Sequence, residues 1–266
     1  MRESQFMKIS IVTASFNQGR FIDKCLNSVR AQQGDFSVEH IILDNCSTDA
    51  TGESLANYQA DSGTVDIQVF VEPDAGQTEA INKGFNLAKG DVVCWLNTDE
   101  WYEDGALAKV VDFFARHPEV DVLFGDCDFV DSDRKFMRHK REFFYSESML
   151  VFYGCFIPSC ATFIRRRVID EGVILSPEFK VTMDFDWYVR IAKAGYRFAH
   201  LPFTLASFTW HDNNISSTFV ERRFIERRLV QDRYSGVSGP DWFRNLTYAV
   251  MKKFWLAVRV TRRFVG

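Results

Sequence analysis

No run of apolar residues in this 266-residue chain is long enough to cross a bilayer, so no membrane-spanning helix is expected. Met1 to Lys8 carries Arg2, Glu3 and Lys8 without an apolar stretch, which argues against a secretory signal peptide. The six cysteines, Cys25, Cys46, Cys94, Cys127, Cys155 and Cys160, form no Cys-x-x-Cys pair. That scatter excludes a zinc ribbon or a disulfide framework and reads as free thiols of a reducing compartment, giving a cytoplasmic address. No Gly-x-Gly-x-x-Gly follows the first apolar run, and no Gly-x-x-x-x-Gly-Lys-Ser/Thr occurs. A dinucleotide dehydrogenase and a P-loop enzyme are therefore disfavoured. Internal repeats and low-complexity segments are absent as well.

What is present is a full complement of core-forming residues. The hydrophobic fraction is 46% and the charged fraction 26%, which suits one α/β domain with an appendage. The net charge of −4 is unevenly spread. From Phe219 onward eleven basic residues face four acidic ones, a local +7 that leaves −11 for the rest. We expect a main domain over residues 1–218 and a basic helical extension over 219–266. A basic tail on an acidic body fits an anionic partner such as a membrane surface, or a solvated helix packed on the body.

The apolar spacing predicts strands over 8–14, 38–43, 65–71 and 91–96, and helices over 18–32, 49–58 and 76–88. Strand–helix repetition in units near thirty residues argues for a mostly parallel sheet with helices on both faces. Further along, a helix is expected after Asp104 to about His117, then strands near 120–124 and 127–130. A basic, aromatic loop is expected over 134–145, and a helix over 185–194. The stretch 235–240 (SGVSGP) reads as a linker, and 241–265 as one amphipathic segment in which Trp242, Phe243, Leu246, Val250, Phe254, Ala257 and Val258 share a face.

In parallel sheets ligands bind beyond the carboxyl ends of the strands. Those ends carry Thr13 to Asn17, Asp44 to Thr48, Glu72 to Gly76, and Asn97 to Glu100. Asp99 and Glu100 close an apolar strand, where adjacent acids are costly without a cation or donors. Hard oxygen ligands there suit Mg²⁺ or Mn²⁺ on a diphosphate, and helix capping is the plainer alternative. Asp44 is placed to accept a hydrogen bond from a base, while Ser47 to Asp49 can cap the next helix.

Five stretches in order carry a resemblance: VTASFNQGRFIDKCLNSV (12–29), IILDNCSTDAT (41–51), EPDAGQTEAINKGFNLAKGDVVCWLNTDE (72–100), IPSCATFIRRRVI (157–169) and MDFDWYVRIAKAGYRF (183–198). Together they resemble the family 2 glycosyltransferases, which have a GT-A-type, Rossmann-like α/β fold. The resemblance implies a metal-dependent, inverting transfer from a nucleotide-linked sugar, UDP foremost, to an acceptor hydroxyl in cell-surface polysaccharide or glycolipid synthesis. It implies that Thr13, Ser15 and Asn17 meet the nucleotide, that Asp44 reads the base, and that Gly76, Gln77, Asn82 and Lys83 line the nucleotide-sugar. Asn97-Thr98-Asp99 matches the family's Asp-x-Asp metal motif with Asn at its first position. Asp99 then becomes the main metal ligand, with Glu100 and His211 as further candidates. Asp184 matches the catalytic base, and Asp186 competes for that role. The implied partners are the donor, a saccharide or lipid-linked saccharide acceptor, and a membrane surface touched through 241–266, with no nucleic acid. Two rivals stand beside this reading. A nucleotidyltransferase needs a Gly-rich phosphate loop that Val12 to Arg20 lacks, and a non-catalytic sugar-nucleotide module makes no use of Asp99 and Asp184.

Overall fold

The computed structural model describes residues 6–142, 144–212 and 214–263. Residues 1–5, Phe143 in the expected loop, Asn213 and the last three of the tail lie outside that set.

The chain opens with β1 (Met7–Ser15), α1 (Ile22–Arg30), β2 (Phe36–Asp44), α2 (Thr51–Ala60), β3 (Asp66–Val71), α3 (Gln77–Leu87) and β4 (Val92–Trp95). These strands lie in the order β3-β2-β1-β4, all parallel, as the repetition predicts. Ile9 and Ile11 face one layer of the core with α1, and Val12 faces the other with α3. Gly84 lets α3 lie close on β1, since a Cβ there would stand 2.3 Å from a Val12 methyl. Buried Glu39 ties β1 and β2 to the turn before β4: it binds the Ser10 hydroxyl, Gly90 N (3.0 Å) and Lys8 Nζ (2.8 Å).

Beyond β4 the sheet becomes mixed. The remaining elements are β5 (Glu100–Tyr102), α4 (Ala106–Arg116), β6 (Val122–Val130), β7 (Phe136–Lys140), α5 (Glu147–Tyr153), a 3₁₀ turn (Ser159–Ala161), β8 (Thr162–Arg165), α6 (Arg166–Asp170), α7 (Met183–Lys193) and β9 (Phe198–Thr209). The order continues β4-β8-β6-β9-β5. β8 is antiparallel to both neighbours, and β9 runs parallel to β6 and antiparallel to β5. Because β5 follows β4 by four residues in the chain, this path curls the sheet back on itself.

Two expectations are corrected here. The separate strands at 120–124 and 127–130 are one strand, β6, whose register shifts around Asp126. The partner β9 carries Pro202 and Phe203 as the extra residues of that shift, because Pro cannot donate to a ladder. The expected loop over 134–145 contains β7, hairpin-paired to β6 through a turn at Arg134, whose φ is 64°. Basic side chains on an exposed edge strand concealed it.

The chain ends in α8 (Ile215–Thr218), α9 (Val220–Tyr234) and α10 (Asp241–Arg263), with the linker at 235–240 between the last two. α9 packs on the body: Val230 is buried in the main core, and Gln231 donates to the carbonyl of Val151. α10 lies on α5 through Tyr248 and Trp255. Trp242, Phe243, Leu246, Val250 and Phe254 are exposed on α10, whereas Val258, one turn beyond Phe254, is half-buried.

His40, fully buried on β2, joins Thr13 Oγ1 (2.9 Å from Nε2) to Tyr58 (3.1 Å from Nδ1), and burial pushes its pKa down from 6.5 to about 3. Between those values the unfolded chain binds the extra proton, so the stability held by neutral His40 is complete above the higher one and is lost as pH falls. Urea melts across that window should show His40→Gln losing less stability per pH unit than the native chain, by up to ~1.4 kcal/mol. Identical slopes would refute the assignment.

Candidate active site

The strand ends converge as the parallel topology requires. At the end of β1, Ser15 Oγ is buried without a partner. Asn17, in the left-handed region at φ 53°, turns the chain; its amide oxygen accepts from Thr48 N at 2.9 Å. Asp44 ends β2 beside Ser15, with its carboxylate bound by Ser47 N (2.9 Å) and Ser47 Oγ (2.6 Å). Asp49 accepts from Thr51 N and Gly19 N, bracing the start of α2. Thr13 lies deeper. Its hydroxyl donates to Leu96 O at 2.8 Å and meets His40, so it supports the loop from within the core.

The turn after β4 holds the best-braced acid. The Asp99 carbonyl accepts from Thr209 N (3.2 Å) and Thr209 Oγ1 (2.6 Å). Asp99 Oδ2 meets His211 Nε2 at 3.1 Å and Asn214 Nδ2 at 3.0 Å. His211 stacks flat on Phe21, centroids 4.8 Å apart, and its buried Nδ1 has no partner among the described residues. Asn214 also orients His211 by accepting from its backbone N–H at 2.6 Å. Asn214 and Phe21 were not singled out in the sequence. Only the polar run around His211 hinted at the former.

Glu100 points the other way. It is fully buried; one carboxyl oxygen accepts from Asn97 N at 2.8 Å and the other has no partner. Burial, and then the charge of Asp99, holds its pKa well above the ordinary glutamate value. Its bonded oxygen is held by the backbone of the turn itself, so the carboxyl is turned into the core and away from Asp99 Oδ2. The structure thus brings Asp99 and His211 together and leaves Glu100 bracing the turn from inside.

α3 starts against this turn. Gln77 Nε2 donates to Asn97 Oδ1 at 2.7 Å, and Thr78 Oγ1 lies 3.2 Å from Met183 Sδ. One helical turn therefore touches both the acid-bearing turn and the start of α7. Gly76, at φ 122°, has open space where a Cβ would stand. The helix N-terminus there favours an anion. Asn82 uses both amide atoms on the backbone of Leu175, at 2.9 and 3.0 Å, and so holds the segment before α7. Lys83 pairs with Glu72 and lies over Phe70. A cleft of about 810 Å³ runs from Gly76 and Gln77 past Lys83 to Lys180, Phe219 and Arg222. Neither Asp99 nor Asp184 lines it, so it extends the site rather than containing the acids.

Asp184 and Asp186 occupy different environments. Asp186 is fully buried and bound to Arg190 Nε at 2.7 Å. Asp184 is half-buried, with Phe185 N (2.8 Å) on one oxygen and the Cys155 thiol (3.5 Å) on the other. Burial raises its pKa; the Phe185 N–H, the Cys155 thiol and the Lys140 charge temper the rise. Glu226 of α9 caps the approach to α7, accepting from the backbone N–H of Lys180, Val181 and Thr182 at 2.9–3.0 Å. The stack of Phe85, Trp95 and Trp187 fixes α7 against β4 and α3, with centroids 5.3–6.3 Å apart.

Among the described residues no three His, Cys, Asp or Glu side chains converge as a metal cage. A carboxylate and an imidazole, completed by diphosphate oxygens and water, still suit Mg²⁺ or Mn²⁺.

The family model described as Glycosyl transferase family 2 matches residues 10–174. A putative teichuronic acid biosynthesis glycosyltransferase of Bacillus subtilis, TuaG, is 25% identical over 79% of this chain and 81% of its own length. A PGL/p-HBAD biosynthesis glycosyltransferase of Mycobacterium bovis is 26% identical over 84% and 85%. An uncharacterised Mycobacterium tuberculosis protein is 28% identical over 83% of this chain, which spans only 64% of that relative's length. S. aureus TarS in complex with UDP-GlcNAc superposes with TM-score 0.70 at 19% identity, over 92% of this chain and 71% of that one. The mannosyltransferase PcManGT from Pyrobaculum calidifontis, with GDP-Man and Mn²⁺, gives 0.67 at 16%, over 99% and 77%. The fold is of the GT-A type.

If Asp184 must be ionised to act, kcat/KM should rise with pH through a midpoint above the ordinary aspartate value of 3.8. Lys140→Met removes a charge that favours the carboxylate, so the acid limb should move to higher pH. A limb that stays in place would remove Asp184 from the titration.

Proposed function

The chain belongs to glycosyl transferase family 2, and on that premise we propose that it moves a sugar from a nucleotide-linked donor, UDP foremost, to an acceptor hydroxyl with inversion. The observation that carries this reading is the first turn of α3, which touches the Asp99 turn through Gln77 and the Asp184 helix through Thr78. These two contacts support reading the N-terminus of α3 as the diphosphate-binding end, with Asp99 and His211 as the metal-ligand pair on one side and Asp184 as the base on the other. Ser15, Asn17 and Asp44 lie at the strand ends that receive the nucleotide.

Asp99 and His211 would hold Mg²⁺ or Mn²⁺, which when bound offsets charge on the departing diphosphate. The N-terminus of α3, with Gly76 leaving room for close approach, adds backbone donors for the same charge. Asp184, its pKa raised by burial, takes the proton from the acceptor hydroxyl as that oxygen attacks from the face opposite the leaving group. Single displacement with one base gives inversion, whereas glycoside hydrolases use two carboxylates astride the bond. Asp186 is read as the partner that fixes Arg190, and Glu100 as the brace of the turn. Asn82 and Lys83 shape the donor side through Leu175 and Glu72. The named relatives in teichuronic acid and PGL/p-HBAD biosynthesis favour an acceptor in cell-surface polysaccharide or glycolipid synthesis.

Among the described residues no helix is long and apolar enough to cross a membrane. We assign 219–266 as an extension that brings the enzyme to the cytoplasmic face of a membrane. α10 packs on α5 with one side and exposes Phe243, Leu246, Val250 and Phe254 on another, and Lys252 and Lys253 supply charge for anionic lipid.

A panel of nucleotide sugars, each with Mn²⁺ or chelator, tests the central reading by thermal stabilisation and by diphosphate release. One donor should stabilise the chain only with metal. Asp184→Asn should keep that stabilisation and lose turnover by at least about a hundredfold. If Asp186→Asn is the inactive variant and Asp184→Asn is not, the base is misassigned; binding without release for every donor would leave a non-catalytic module.

For the membrane contact, Leu246, Val250 and Phe254 changed together to Ser should abolish flotation with anionic liposomes. Unchanged flotation would eliminate that role for α10.

A further inference from the structure

The segment 173–182, between α6 and α7, has no helix or strand of its own and leads directly into Asp184. Its first half is tied to the body. Trp187 Nε1 donates to Val173 O at 2.7 Å, Arg190 Nη2 to Ile174 O at 2.6 Å, and Asn82 holds Leu175. Its second half is tied to α9. Arg233 grips both oxygens of Glu178, at 2.7 and 2.8 Å, and Glu226 takes the backbone of 180–182. α9 also touches α7 itself, with the Tyr234 hydroxyl donating to Asp186 at 3.4 Å.

Glu226 is 3% exposed, and a carboxylate so placed is costly unless donors surround it. The donors are the backbone N–H groups of Lys180, Val181 and Thr182, the Thr182 hydroxyl (3.2 Å) and Arg222 Nε (2.6 Å). The first N–H groups of a helix need acceptors from outside it, and a Ser or Thr at the N-cap commonly supplies one. Thr182 holds that position before α7 but makes no such bond; its hydroxyl donates to Glu226 instead. A carboxylate 44 to 46 residues further along the chain thus anchors the entry to α7. Asp184 is the second residue of that helix. Its direction follows from the backbone there: Asp186 N donates to Thr182 O at 3.1 Å, and Phe185 N to Asp184 Oδ1 at 2.8 Å.

We propose that Glu226 is a positioning residue for the transfer: it fixes the chain at 180–182 and, through it, the direction in which Asp184 meets the acceptor hydroxyl. This rests on reading Asp184 as the base. It also makes α9 part of the catalytic unit, although its composition marks it as the start of the basic extension. Misplacing a reacting group by about 1 Å can cost about a hundredfold in rate, so an anchor at the entry to the base's helix has a large lever. A carboxylate suits that task, because its two oxygens accept several N–H groups at once in charge-assisted bonds. An amide in its place would turn N–H donors toward other donors. Arg222 also lines the cleft, so the same anchor joins the cleft wall to the base.

The test compares Glu226→Gln, Glu226→Asp and Asp184→Asn in the full chain, using the nucleotide sugar found active in the donor panel. Glu226→Gln should lower kcat at least about tenfold, while the donor KM and the thermal stabilisation by donor with Mn²⁺ stay within about twofold. Glu226→Asp keeps the charge beside Arg222 and draws the carboxylate back by one methylene. It should fall between, and it decides the matter if Glu226→Gln folds poorly. Burial raises the Asp184 pKa and the Phe185 N–H restrains that rise, so a loosened α7 start should move the acid limb of kcat/KM to higher pH in both variants. The other groups facing Asp184, Lys140 of β7, Cys155 after α5 and Tyr188 of α7, are unaltered. Removal of a nearby anion acting through space would move the limb the other way. An unchanged kcat, a limb that stays or moves to lower pH, or kcat and donor binding lost in proportion would overturn the assignment. If Asp184→Asn is inactive and the Glu226 variants are unimpaired, this assignment alone fails. If Asp184→Asn is active, the base is misassigned and this assignment falls with it.

Discussion

The site depends on the clasp around Asp99. Residues more than a hundred positions apart meet there: the Thr209 backbone and hydroxyl hold the Asp99 carbonyl, and His211 and Asn214 hold its carboxylate. Each such contact contributes only about 0.5–1.5 kcal/mol net, more where charge is involved. Their joint effect is geometric. β9 can deliver Thr209 and His211 only because it pairs with β5, with Phe208 opposite Glu100. That pairing requires the sheet to leave its parallel order after β4 and curl back. The antiparallel half of the fold is therefore what turns a strand end into a donor set.

Environment sorts the acids into distinct tasks. Asp99 keeps a polar, partly open setting with an imidazole beside it. Its neighbour Glu100 is sealed in the core, where burial raises its pKa. Asp186 is bound to Arg190, while Asp184, two residues earlier, has only a backbone N–H and a thiol. Glu226, an acid in a strongly basic helix, compensates the N–H groups leading into α7. Asp184 therefore differs from Asp186 in lacking a guanidinium partner among the described residues.

Much of the parallel half was legible in the chain. β1, β2, β4 and the helices between them follow from apolar spacing and from strand ends rich in Ser, Thr, Asn and Asp. β7 and β9 were not. β7 is a short basic edge strand with no buried face, and β9 carries a proline and a register shift that break its alternation. The two-sided α10 was only partly legible. Its amphipathic pattern was visible, but which side packs was not: Tyr248 and Trp255 set the helix's rotation against α5.

The residues alone determined which chemistry was available: acids at strand ends, a family's motifs in order, and a basic, aromatic tail. Local spacing carries that information because each motif lies within one turn or one strand. Tertiary structure decided which of those residues share a site. It turned Glu100 inward, committed Thr13 and Asn82 to supporting contacts, joined Asn214 to Asp99, and brought Glu226 to the start of α7. These outcomes depend on burial and on pairings between distant segments, and neither has a local signature in the chain.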